Sequence, residues 1–401
     1  MGAGYSGLFT ALTLARGARS VTLIEAEQVG HFASTRNFGA IGRTIRLKFS
    51  QLVSRYGLDT AIKIYEEARE WADFTAAFIE REKIECRFHR SGRVVGAHCP
   101  SAYDAMARDL EETSRHLCVD TQLIPRAEQH RELGSDVYYG CSVLNDVGQL
   151  HPGLYLNGVL ERVLAEGVLV APHTRVTGIE RRGDSFHVDT SRGAMTAREV
   201  VLTTNAETGR DNDLFRYFHR RVVPIQVFSA VTEPLDDALI KSVIPTGRTV
   251  LETRRLYLAM RVIEGENRLL VVSRHMHRYR SETEAAADIK LDLLVRYPQL
   301  ADVEFSHCWR GRFAITFDWL PHLGTHKGVH YLIGLNGAGV PAAGYLGQKL
   351  GQRILGGVNS ETVFADRPYP TRTGYAGQTW FLPLLAAYYR YADRREAGLP
   401  R

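Results

Sequence analysis

The sequence predicts an α/β chain in which a dinucleotide-binding, Rossmann-like unit is interleaved with a second, α+β unit built on a mostly antiparallel sheet. Three observations predict it. The chain opens on Gly2-Ala3-Gly4-Tyr5-Ser6-Gly7, a GxGxxG turn. An apolar helical repeat and a short β-like run follow, with Glu25 eighteen residues past Gly7. Glycine-punctuated strand and helix fragments return in the middle and last thirds, with longer β-like runs inserted between them.

Each part of the opening has a physical reason. The first glycine makes a tight bend, the second lets backbone approach a pyrophosphate, and the third lets helix and sheet pack closely. A lone GxGxxG says little in a chain holding 36 glycines. Its neighbours give it weight. Leu8, Ala11, Leu12 and Ala15 recur at helical spacing, Gly17 is placed to end that helix, and residues 21–24 read as the next strand. Glu25 then stands where a carboxylate accepts ribose hydroxyls. Strand one would normally be central in the sheet, yet Met1 occupies its last position, so that strand is expected to be missing. Losing a buried strand removes several apolar side chains at ~1.5–3 kcal/mol each, comparable with a domain's net stability of roughly 5–15 kcal/mol. The expectation is therefore a start upstream of Met1, or a truncated, non-catalytic remnant that no longer binds cofactor.

Composition bounds the rest. With 401 residues, 44% hydrophobic and 24% charged, the chain is long enough for two globular domains. A net charge of +5 permits an anionic ligand but offers no clustered stripe for nucleic acid. Cys86, Cys99, Cys118, Cys141 and Cys308 are odd in number and lack metal-ligand spacing. That points to a reduced, cytoplasmic compartment without structural zinc. No signal peptide is visible, and no uncharged apolar run approaches the ~20 residues of a membrane span.

Helical periodicity covers 58–84, with Ala61, Ile64, Ala68, Trp71, Ala72 and Phe78 on one stripe. A strand is expected at 92–97, helices at 103–117 and 155–166, and short strands across 167–176, 186–188 and 199–203. Longer β-like runs fill 222–232 and 256–274. A strand at 331–333, a glycine turn and a helix at 340–355 close the pattern. The nucleotide unit is thus expected to comprise 1–85, 146–221 and 312–401, and the substrate unit 86–145 and 222–311.

Four stretches in this order resemble the D-amino acid oxidase and sarcosine oxidase superfamily of FAD-dependent amine oxidoreductases, most closely its γ-glutamylputrescine oxidase branch. They are the opening turn with Glu25, the loop Gly30-His31-Phe32-Ala33-Ser34-Thr35-Arg36-Asn37-Phe38-Gly39, the run Trp309-Arg310-Gly311 on to Asp318 and Gly324, and Gly334-Leu335-Asn336-Gly337-Ala338-Gly339-Val340. The resemblance implies non-covalent FAD and hydride removal from a carbon bearing nitrogen in an amine or amino acid, with oxygen or another acceptor reoxidising the flavin. Gly2, Gly4, Tyr5, Ser6, Gly7, Glu25 and Ala26 would hold its ADP half. Ser34, Arg36, Asn37, Gly39, Gly311, Gly337, Ala338, Gly339 and Val340 would hold the flavin half. The segment 200–206, with Thr204 and Asn205, is similar to the one backing the adenine, and Val176 either offers it backbone groups or is a core valine.

At the last helix, an N-terminus carrying about half a positive charge would stabilise negative charge on a reduced ring by roughly a few kcal/mol; a phosphate site is the competing use. Sarcosine oxidases place an Arg-x-x-Arg pair where Arg43 and Arg46 stand, one over the flavin and one on substrate carboxylate. The other reading is solvated arginines on an alternating strand through Ile45, Leu47 and Phe49. Trp309 and Phe313 would wall the substrate side. Three departures matter. The flavin-attaching cysteine position holds Gly311, with Cys308 out of register. Phe313 replaces a carboxylate-binding arginine, with Arg312 on the opposite strand face. No lysine for oxygen activation stands among residues 269–273. His275-Met276-His277 could offer two imidazoles on one face, but with no third ligand the group reads as a solvated basic turn, as does the cluster at 274–280 when tested as a nucleic-acid patch.

Overall fold

The computed structural model describes residues 1–210, 212–274, 279 and 281–397. Directly behind the glycine turn, Tyr5–Arg16 is a helix with Gly17 at its C-cap, and the strand Thr22–Ile24 follows. That strand pairs in parallel with Leu169–Ala171. On its other side lie residues 1–2: Gly2 N–H donates to Ile24 O at 2.8 Å, Met1 N donates to Val201 O at 2.7 Å, and Thr203 N–H donates to Met1 O at 3.0 Å. The Thr203 hydroxyl also donates to the Met1 and Gly2 carbonyls. Residues 1–2 form no strand, and Thr22–Ile24 and Val201–Leu202 on either side of them belong to separate sheets. Two residues bridge Thr22–Ile24 to Val201–Leu202, which pairs in parallel with Val329–Ile333.

Helices cover this layer. Tyr5–Arg16 lies on Gly339–Leu355, close enough for Thr10 Oγ1 to donate to Gly347 O at 2.9 Å. A Cβ on Gly347 would sit 2.8 Å from Ser6 O, so the crossing needs glycine. Leu58–Glu82 and Pro152–Ala165 complete a core that buries Leu8, Phe9, Trp71, Tyr155 and Leu346, each contributing ~1.5–3 kcal/mol.

A mixed eight-stranded sheet forms the second body, in the order Phe305–Thr316, Val222–Thr232, Arg268–Ser273, Leu258–Ile263, Thr249–Glu252, Arg93–Gly96, Cys141–Leu144 and Thr121–Ile124. Neighbours run antiparallel except for the parallel pair Thr249–Glu252 with Arg93–Gly96. Glu282–Arg296 packs on one face through Ala285, Ile289 and Leu293. The strand Phe305–Thr316 runs straight through the expected unit boundary at 311/312.

Several elements differ from expectation. The stretch 43–48 has no regular structure, and Phe49–Tyr56 is a helix burying Phe49 and Leu52. Alternation of Ile45, Leu47 and Phe49 fitted a strand, but Phe49, Leu52, Val53 and Tyr56 also fit a helix, and that pattern prevails. The run 256–274 folds into a hairpin of Leu258–Ile263 and Arg268–Ser273. A helix at Leu382–Glu396 was not anticipated. Among the described residues no helix is long and apolar enough to cross a membrane.

Candidate functional site

A cavity of about 310 Å³ opens between the two bodies, from the glycine turn to the large sheet. Gly2, Gly4, Tyr5, Ser6, Glu25 and Ala26 line one end. Gly2 has φ +92°, and a Cβ there would crowd Thr203 O at 3.0 Å; one on Gly4 would meet Ser34 Oγ at 2.7 Å. Gly7 does not line the cavity. Its missing side chain lets the helix approach the turn, since a Cβ would sit 1.9 Å from Gly2 O. Glu25 is 8% exposed, and its two oxygens accept from Ala3 N–H at 2.8 Å and Glu27 N–H at 3.1 Å. The buried carboxylate thereby braces the turn while facing the space a ribose would fill. Glu25→Gln is expected to weaken FAD binding about 10-fold, because charge-assisted bonds become neutral ones; fluorescence quenching on titration with FAD measures it.

Next along the wall come Ser34, Arg36, Asn37 and Gly39. Ser34 Oγ accepts from Tyr5 N–H at 3.2 Å, tying the loop to the first helix. Asn37 spends its amide on the loop itself, donating to Ala33 O and Ser34 O and accepting from Gly39 N–H. Its side chain shapes the loop rather than offering free groups to a ligand. Val176, Thr204 and Asn205 line the cavity too. Asn205 Oδ1 also accepts from Gly334 N–H at 2.9 Å, which fixes the late glycine turn.

At the far end Gly337, Gly339 and Val340 reach the cavity, while Ala338 lies buried behind them as the N-cap residue of Gly339–Leu355. Neither this helix nor Tyr5–Arg16 has a side-chain cap, so orphan amides and positive dipole ends of two helices converge on one space. Arg46 lines it as well, its Nε donating to Asn336 O at 3.1 Å. Arg43 does not: its guanidinium lies 4.6 Å from the centre of the Tyr65 ring and 3.9 Å from Asp146. Phe313 lines the wall, but Trp309 and Gly311 act one step away. Trp309 Nε1–H donates to Arg36 O at 3.3 Å, and a Cβ on Gly311 would press that same oxygen at 3.2 Å. Arg312 is committed to Glu207, with Nε donating at 2.8 Å. Cys308 is off the cavity, paired in register with Ala230, and burial pushes its thiol up to about 11. His275 and His277 lie outside the described residues.

Sequence reasoning missed Tyr257. It lines the cavity from the loop before Leu258–Ile263, and Arg46 Nη2 donates to its hydroxyl at 3.4 Å. Burial opposes its ionisation, yet Arg46, Arg274 and Arg93 outweigh burial and hold its pKa below the usual tyrosine value. A cradle that excludes side chains beside a buried acid, with bare helix ends at both extremities, fits an extended ligand bearing negative charge at two places.

Those features define a dinucleotide-cofactor oxidoreductase site. The chain belongs to the FAD dependent oxidoreductase family (DAO), whose pattern matches residues 1–353. It is 27% identical to the gamma-glutamylputrescine oxidoreductase of Escherichia coli, over 98% of this chain and 92% of that protein. It is also 27% identical to the probable oxidoreductase OrdL of Haemophilus influenzae, over 93% of this chain and 86% of that one. Glycine oxidase from Geobacillus kaustophilus shares the fold at a TM-score of 0.73 and 19% identity, over 93% of this chain and 97% of that structure. The protein is thus an FAD-dependent oxidoreductase; the match across 1–353 does not favour the alternative of a remnant that has lost its cofactor.

Proposed function

We propose that this protein oxidises the C–N bond of an amine or amino acid, with γ-glutamylated amines and simple amino acids as leading substrates and non-covalent FAD as its cofactor. The observation that carries the reading is the convergence of Arg46, Tyr257 and Phe313 on the stretch of cavity next to Gly337 and Gly339. The similarity to a gamma-glutamylputrescine oxidoreductase supports the donor class. The chemistry FAD would supply there is acceptance of a hydride from the carbon bearing nitrogen, giving an imine that water would hydrolyse.

The chain's own residues do the rest. Gly2 and Gly4 would admit the diphosphate, with Gly7 letting the first helix close on the turn; Glu25 would take the ribose, and the Ser34–Gly39 loop and Gly337–Val340 would hold the ring. Phe313 and Val272 exclude water beside it. Arg46 holds a carboxylate, and its positive charge disfavours an ammonium nearby, so that the amine enters in its neutral, reactive form. Trp309 and Gly311 are positioning residues acting through Arg36. The same reading assigns 1–85, 146–221 and the part of 312–401 beyond the strand Phe305–Thr316 to the cofactor, and 86–145, 222–311 and the rest of that strand to the substrate. Cytoplasmic placement, and oxygen or another small acceptor, complete it.

Purified protein is expected to be yellow with about one flavin per chain, and acid precipitation should release the flavin into the supernatant. Anaerobic mixing with a panel of γ-glutamylated amines, N-methyl amino acids and amino acids should bleach the visible bands for one class. A colourless protein at saturating FAD, or bands that no amine bleaches, would end the reading.

A further inference from the structure

The charge behind Tyr257 and Arg46 is not balanced. The Arg46 guanidinium lies 5.7 Å from the centre of the Tyr257 ring, and that of Arg274 lies 5.9 Å from the same centre. Backbone holds the second in place, Arg274 N–H donating to Tyr257 O at 3.1 Å. Arg93, on the neighbouring strand Arg93–Gly96, is close enough to feel both Arg46 and Tyr257. Arg93 and Arg274 are each only 8% exposed, and the Nε of each has no hydrogen-bond partner. Asp146 answers Arg43 and Arg93, but loosely: one oxygen is 3.9 Å from Arg43 and the other has no partner. Arg274 faces Tyr257, Arg46 and Tyr389.

Such a cluster is costly. Burial, then the neighbouring charge of Arg46, pulls Arg93 down to about 10, and burial lowers Arg274 as well. Buried cations of this kind oppose folding unless an anion joins them. Of these arginines Arg46 lines the cavity, and a guanidinium there is shaped to receive carboxylate or phosphate oxygens. One carboxylate on Arg46 would leave the charge of Arg93 and Arg274 unanswered.

We infer that Arg46 and Tyr257, in the field of Arg93 and Arg274, receive a dianion, so that the amine oxidised in this cavity carries two negative charges at its non-reacting end. Arg46 and Tyr257 contact the ligand from the wall; Arg93 and Arg274 supply the field that selects the second charge. The inference rests on the amine-oxidation reading above and, within it, favours amines with two negative charges over the γ-glutamylated amines and simple amino acids, which carry one carboxylate.

Flavin-loaded, full-length protein is titrated with propionate, succinate and methylphosphonate, none of which has a nitrogen to oxidise, following shifts of the visible flavin bands. A dianion is expected to bind at least about 10-fold tighter than propionate, and the preference should survive high salt because the site is buried. Tighter succinate assigns the charges to two carboxylates, tighter methylphosphonate to one phosphoryl group. In Arg93→Met and Arg274→Met the preference for a dianion over propionate should fall towards unity. Equal affinity of the wild type for dianions and propionate, or a preference that both variants keep, overturns the inference. Should a variant fail to fold, the wild-type series decides alone. A preparation without flavin would count against the amine-oxidation reading instead; thermal protection of that same protein by succinate still reports on the anion site.

Discussion

Gly7→Ala is expected to leave the protein without its flavin. The added methyl would sit 1.9 Å from Gly2 O and 2.9 Å from Thr203 Oγ1, both fixed by hydrogen bonds through residues 1–2 and Thr203. The first helix must retreat from the turn, and with it the Tyr5 amide that Ser34 holds and the bare helix end facing the cavity. Overpacking of this kind typically costs about 1–3 kcal/mol, occasionally more. Here the loss falls on the part that grips the diphosphate, so affinity for FAD should drop by about 100-fold or more, equivalent to ~2.7 kcal/mol. The ratio of visible to ultraviolet absorbance after purification, and melting with and without added FAD, measure both effects. A variant as yellow as the wild type would refute the packing argument.

Arg296→Met should produce the largest loss of stability. Glu252 has a side chain fully buried at 0% exposure, and Arg296 is 4% exposed. The carboxylate accepts from Arg296 Nη2 at 2.7 Å, from Leu258 N–H at 2.9 Å and from Arg254. Breaking a buried pair by removing one partner costs about 3–5 kcal/mol, read as a shift in the urea midpoint. The pH dependence has a definite sign. Burial works to raise the Glu252 pKa, but Arg296 and Arg254 outweigh it and hold the carboxyl below its usual value. A depressed folded-state pKa gives stability that is present above the unfolded value and is lost as pH falls through the folded one. In Arg296→Met the ionised carboxylate keeps Arg254 and the Leu258 amide but loses its buried partner, so the deficit against wild type should be greatest near neutrality and shrink in acid. A deficit independent of pH would rule out the charge explanation.

The parts legible in the sequence are those where local geometry dictates residue type. The opening turn, the loop ending at Gly39 and the turn before Gly339–Leu355 need positive φ or close backbone approach, and only glycines and short polar residues satisfy that. Gly337 is one case, with φ +88° and Arg46 Nη2 only 2.7 Å from where its Cβ would stand. Tyr257, Arg93 and Arg274 were illegible for the opposite reason. They meet only through the pairing of Thr249–Glu252 with Arg93–Gly96 and the hairpin after Tyr257, and a strand arginine carries no local mark of its neighbours. Trp309 and Phe313 share a strand face, yet only Phe313 reaches the cavity, because the Arg36 loop lies over Trp309. The helix Leu382–Glu396 escaped notice since Leu384, Tyr388 and Tyr391 are exposed and blur its apolar stripe.

The bond from Thr10 to Gly347 spans 337 residues, and it sets when the protein becomes functional during synthesis. A nascent chain exposes Leu8, Phe9, Ala11 and Leu12 as soon as they leave the ribosome, but Gly339–Leu355, which packs on them, is made late, followed among the described helices by Leu382–Glu396 alone. Closure over such separation is slow, and in the interval the waiting segment is open to aggregation and chaperone capture. The first helix is therefore expected to find its full packing only once residues 339–355 have been made.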